Sequence, residues 1–75
     1  MDIYGKYGVG DFISFEYNGI VRYGYAERVE MTYVVVRVVA EVHPSGERTY
    51  NAGYKSFSHS KMGSGIVGHS EGVPA

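Results

Sequence analysis

Ile13-Ser14-Phe15-Glu16-Tyr17-Asn18-Gly19-Ile20-Val21-Arg22 is the stretch that decides the fold. Ile13, Phe15 and Tyr17 alternate with Ser14 and Glu16, the period-2 signature of a half-buried strand, and Phe12 falls on the second face. Asn18-Gly19 follows at once. Both residues tolerate the positive φ that a type I′ turn requires, so two antiparallel strands joined by a tight hairpin are predicted. The second strand is expected from Ile20 to Val29, with Val21, Tyr23, Tyr25 and Val29 on one face and Arg22, Gly24, Ala26 and Arg28 on the other. Gly24 marks a bend, a bulge or a close backbone approach.

Working outward, Tyr33 to Val42 is almost continuously β-branched and reads as a central strand buried on much of both faces. Its charges, Arg37 and Glu41, fall on the same face by simple alternation, and Arg37 is expected to pair with Glu41 or Glu30. His43-Pro44-Ser45-Gly46 is a turn by composition, and Glu47 to Tyr50 returns as a fourth strand. Asn51-Ala52-Gly53 interrupts it. Tyr54 to Ser58 resumes alternation as a short fifth strand, and Ser58 to Met62 suits a single 3₁₀ or helical turn. Residues 1–10 form a lead-in, in which Tyr4 and Tyr7 need not be core, and residues 63–75 form a glycine-rich tail read as flexible. Its Ile66-Val67 pair is the part able to add a strand. Five short strands with tight turns over residues 11–62 predict an all-β domain, a small five-stranded SH3-like barrel with at most one helical turn.

Composition narrows the function. At 75 residues only one small domain is possible, burying ~60% of its unfolded surface. No cysteine is present, which excludes disulfide staples, thiolate metal sites and thiol catalysis. With neither disulfide nor evident metal set, a homo-oligomer is expected. Seven basic residues against eight acidic leave a net charge of −1, too little to hold long duplex DNA by charge. No apolar run suits a bilayer and the first residues lack the order of a signal peptide, so a cytoplasmic protein is expected.

Catalytic candidates are thin. His43, His59 and His69 are scattered, and the neighbours in Ser58-His59-Ser60 point to opposite faces of a strand. The chain is read as non-enzymatic, without metal or cofactor. In the glycine groups Gly5 to Gly10 and Gly63-Ser64-Gly65, Lys6 would supply charge, but the Lys-Ser/Thr ending of a phosphate loop is missing and both read mainly as turns. What remains is a palette of aromatic and basic residues: Tyr17, Arg22, Tyr23, Tyr25, Arg28, Arg48, Tyr50, Tyr54, Lys55 and Lys61. Tyrosine faces stack bases and arginine forks pair with phosphates, so these are the candidate ligand-binding residues for a small nucleotide. The same tyrosines equally suit packing, a protein partner or an oligonucleotide.

Ile13 to Arg22, Thr32-Tyr33-Val34-Val35, Gly46-Glu47-Arg48 and Tyr54 to Met62 together resemble the WYL-type SH3-like β-barrel. Thr32 stands at that family's tryptophan and Val34 at its leucine, and Ser58 and Ser60 replace the usual Arg and Asp of the closing stretch. The resemblance implies a barrel anchored by Phe57 and a sensor of nucleic acid or nucleotide-like ligands. A freestanding barrel of this kind looks like compact bacteriophage proteins, some of which sequester nucleotide signals of host defence, such as cyclic dinucleotides. That implies a nucleotide sponge in the host cytoplasm, with the ligand held between subunits.

Overall fold

The computed structural model describes residues 7–62 and the backbone of residues 67 and 68. The fold is a single antiparallel sheet of four strands, β1 (Phe12–Tyr17), β2 (Ile20–Val29), β3 (Tyr33–Val42) and β4 (Arg48–Ser58), followed by a 3₁₀ turn at His59–Lys61. Each strand pairs with its sequence neighbour, so every connection is a hairpin. Backbone residues Val67 and Gly68 lie antiparallel beside Ser14 and Ile13 on the far side of β1. The remainder of the glycine-rich tail and residues 1–6 lie outside the described residues.

The β1–β2 hairpin turns at Asn18 (φ 54°) and Gly19 (φ 80°), both left-handed as a two-residue turn with native strand twist demands. Tyr17 therefore pairs with Ile20, and the register runs without a slip to Phe12 and Tyr25. Alternation along β1 is as expected, with Ile13 and Phe15 fully inside.

Ile13, Phe15, Ala26, Val34, Val36, Val38, Phe57 and Met62 form the core, and Tyr7 from the lead-in joins them. Tyr7 is thus core, against the expectation that it need not be. Phe57 on β4 meets the rings of Phe15 and Tyr17 on β1, at 4.9 and 5.0 Å between centroids. Two strands separate β4 from β1, so this contact requires the sheet to curl until its ends face each other across the core. Gly24 permits the curl: a Cβ there would sit 2.3 Å from the Arg37 carbonyl oxygen and 2.8 Å from Val36 Cγ1, so only glycine lets β2 and β3 approach so closely.

Two bulges correct the simple alternation. Between β2 and β3, Tyr23 pairs with Ala40 but Gly24 with Val38, leaving Val39 unopposed. One extra residue reverses which face the following side chains take. Glu41 consequently turns inward and is buried, while Arg37 stays on the outer face, so the two charges sit on opposite faces rather than together. Arg37 pairs with Glu27, not with Glu41 or Glu30. Further along, Ala26 pairs with Val36 and Arg28 with Val35, leaving Glu27 unopposed and moving Arg28 off the face of Arg22, Gly24 and Ala26.

The expected break at Asn51-Ala52-Gly53 is also a bulge. Asn51 (φ 55°) and Gly53 (φ 83°) take left-handed conformations, which absorb the extra residues opposite Val39 while pairing continues on both sides. The segments expected as strands four and five are therefore one strand.

Candidate ligand-binding face

The ten candidate residues divide between the two faces of the sheet. Tyr17, Arg22 and Lys55 belong to the inner side. Arg22 pairs across β2 and β3 with Glu41, and Glu41 Oε2 accepts hydrogen bonds from Arg22 Nε at 2.8 Å and from Lys55 Nζ at 3.0 Å. Arg22 also donates through Nη1 to the Tyr17 carbonyl, and its guanidinium lies 5.1 Å from the Phe57 ring centroid and 5.8 Å from that of Tyr17. Burial pushes the Glu41 carboxyl upward, but the hydrogen bonds and charges of Lys55 and Arg22 outweigh it and hold the carboxyl below the ordinary glutamate range. Arg22 and Glu41 are 8% and 4% exposed, so this cluster serves the interior and leaves no open arginine fork for a ligand.

The outer side is different. Phe12, Tyr25, Arg37 and Tyr54 stand in register on β1, β2, β3 and β4, a single row across the whole sheet. Phe12 meets the Tyr25 ring edge-on at 4.9 Å, and the Arg37 guanidinium stacks 4.8 Å from the centroid of Tyr25. Glu27 accepts from Arg37 Nε at 3.3 Å, which fixes one edge of the guanidinium. Tyr54 ends the row, 66% exposed. A second row carries Ser14, Tyr23, Ala40 and Tyr50, with Tyr50 46% exposed. Arg48 begins β4 opposite Val42 and is exposed.

Arg28 lies at the other end of this face, where its guanidinium is bonded to Glu30 and to the Tyr33 hydroxyl; those bonds raise its already high pKa. Lys61 is exposed on the 3₁₀ turn beyond β4 and joins neither row. The face thus brings together Tyr23, Tyr25, Tyr50, Tyr54 and Arg48 of the candidates. Reading the sequence for the site missed Phe12 and Arg37. The signal for Arg37 was its place at an odd position among Val34, Val36 and Val38, which directs it away from the core.

His59 is buried and serves the base of the core. Its Nε2 donates to the Glu30 carbonyl at 2.6 Å, since a carbonyl can only accept, and in the neutral ring Nδ1 then accepts from the Tyr7 hydroxyl at 2.7 Å. Burial raises the Tyr7 pKa to about 12. Ser58 and Ser60 share a hydrogen bond with each other at 3.0 Å. Among the described residues no three or more histidine or acidic side chains gather as a metal site, and no helix is long and apolar enough to cross a membrane.

No protein-family model, curated protein or solved structure matches the chain. Its chemistry is therefore read from the two faces themselves.

Proposed function

We propose that the protein is a non-catalytic binding module for a small anionic nucleotide, which it senses or sequesters on the outer face of the sheet. The row Phe12, Tyr25, Arg37 and Tyr54 carries this reading. It sets aromatic rings on the strands on both sides of a guanidinium, and this is the combination that stacks bases and pairs with phosphates. The binding residues of this reading are Tyr23, Tyr25, Arg37, Arg48, Tyr50 and Tyr54. Tyr17, Arg22 and Lys55 are reassigned to the inner side of the sheet, around Glu41.

The curl of the sheet and the Phe57 contact with β1 support a barrel of SH3-like type, in keeping with the WYL-like resemblance. On this reading binding alone performs the function, as in a phage-encoded sponge for a defence signal such as a cyclic dinucleotide, and a homo-oligomer places two such faces on one ligand. The near-neutral charge favours a small ligand over long duplex DNA.

Thermal unfolding against mono-, di- and cyclic nucleotides and a short single-stranded oligonucleotide, at two salt concentrations, tests this. A ligand at one hundred times its dissociation constant stabilises by ~2.7 kcal/mol, a rise in Tm of ~4–8 °C for so small a domain. A rise with one nucleotide class and little salt dependence is expected. No rise with any of them overturns the nucleotide reading in favour of a protein partner, and a steep salt dependence confined to the oligonucleotide turns it toward nucleic acid.

A further inference from the structure

The outer row is a stack that stops one member short. Phe12 packs on Tyr25 and Tyr25 on Arg37, but the next ring, Tyr54, stands in register with Arg37 and stacks on nothing among the described residues. Neighbouring strands are ~4.8 Å apart, and side chains on the outside of a curled sheet fan away from one another, so the row widens toward its ends. The guanidinium carbon lies over the Tyr25 ring and Nε is taken by Glu27, while the Nη atoms make no hydrogen bond among the described residues. Tyr54 is the cross-strand neighbour of Arg37 on the side away from Tyr25.

Resting on the nucleotide reading above, we propose that Arg37 and Tyr54 form a clamp that takes the base of a nucleoside monophosphate unit between guanidinium and phenol ring, with its phosphate on the Nη edge of Arg37. The occupant follows from what lines the gap. Two flat surfaces select a planar group, and a cation with an unshared donor edge selects an anion attached to it. Glu27 confines the phosphate to the Nη side, because on the Nε side it would meet a carboxylate. A purine fills the clamp better than a pyrimidine because it offers more ring to both surfaces. Tyr25 and Phe12 act as positioning residues, holding the guanidinium upright before any ligand arrives.

The test is equilibrium titration of the full chain with adenosine monophosphate, uridine monophosphate, adenosine and inorganic phosphate. Adenosine monophosphate is expected to bind more tightly than uridine monophosphate or adenosine, with inorganic phosphate a poor competitor. Tyr54→Ala should weaken adenosine monophosphate about ten- to a hundredfold, the range of a lost base–aromatic stack, while Tyr54→Phe stays within about twofold because the ring and not the hydroxyl does the stacking. Arg37→Lys should fail as Arg37→Gln does, since an ammonium has no flat face. Tyr54 is exposed, so both Tyr54 variants should unfold at the wild-type temperature, and this is checked alongside. Binding that survives Tyr54→Ala and Arg37→Gln overturns the clamp and leaves the nucleotide reading standing. Inorganic phosphate competing as well as the nucleotide also overturns the clamp. A wild-type chain that binds none of the four probes overturns the clamp, and failure of the wider nucleotide panel as well removes the reading beneath it.

Discussion

β3 and β4 are neighbours of nearly equal length, yet they do opposite work. Five of the ten residues of β3 are buried, whereas eight of the eleven of β4 are exposed and only Phe57 is buried. β3 is paired on both sides and built from valines that fit a crowded pleated surface. β4 lies at the sheet's edge, carries Arg48, Tyr50, Tyr54 and Lys55, and is bent by left-handed residues at Asn51 and Gly53. The difference teaches that backbone pairing alone does not decide a strand's role. The same ladder gives one strand whose side chains make the fold and another whose side chains mostly face solvent, apart from the anchor at Phe57 and the bond from Lys55 to Glu41.

The strongest way to break the comparison is to remove the exceptions. Glu41→Ala on β3 leaves the buried Arg22 guanidinium without its carboxylate and should cost about 3–5 kcal/mol, read as the shift in denaturant midpoint. Phe57→Ala on β4 removes the ring that touches β1 and should cost about as much, ~3–5 kcal/mol, despite lying on the exposed strand. A smaller loss than ~1 kcal/mol for Phe57→Ala would mean that β4 is not tied to the core at all. Next comes Gly24→Ala, where the new methyl group meets backbone rather than a mobile side chain; overpacking of this kind costs about 1–3 kcal/mol in thermal or denaturant unfolding.

Two pH windows sharpen the contrast without deleting packing. Glu41 is held below its unfolded value of ~4.3, so its contribution is complete above that pH and is lost as pH falls through the lower folded value. Glu41→Gln should therefore flatten the acid limb of a stability-against-pH curve. Tyr7 moves the other way: its pKa is raised from 10.0 to about 12, so its contribution is complete below pH 10 and is lost as pH rises through about 12. Tyr7→Phe should flatten the alkaline limb. The smallest effect belongs to the open end of the outer row. Tyr54→Ala should change stability by no more than ~0.5 kcal/mol, which is what makes it a clean probe of binding.

Much of this was legible in the chain. Asn18-Gly19 set the first hairpin, the alternation of Ile13 and Phe15 identified the core side of β1, and the β-branched run from Tyr33 marked the central strand. Gly24 announced a close approach, and Ser58 to Met62 contained the one turn of 3₁₀ helix. What alternation could not disclose were the bulges, because an unopposed residue depends on the partner strand rather than on its own. Val39 and Glu27 carry no local mark, and with them went the faces of Glu41 and Arg28. Asn51-Ala52-Gly53 did carry a mark, but left-handed residues serve a chain break and a bulge alike. The candidate site was legible as a palette and not as a map: Arg22 and Lys55 resemble ligand-binding cations until Glu41, turned inward by the bulge, claims them both.

Val39 is the unopposed residue of this ladder. Removing it would set Val38, Ala40 and Glu41 opposite Gly24, Tyr23 and Arg22 in an unbroken ladder, so β3 would keep its faces and lose the extra twist of the bulge. Adding a residue between Ala40 and Glu41 would do the opposite: Glu41 would slip to the outer face and Arg22 would lose its carboxylate. Substitution or loss of Val39 should therefore be milder than that insertion, which should be as harmful as losing the ion pair outright. In any lineage carrying this sheet, length between Ala40 and Glu41 would then be held more tightly than length between Val38 and Ala40.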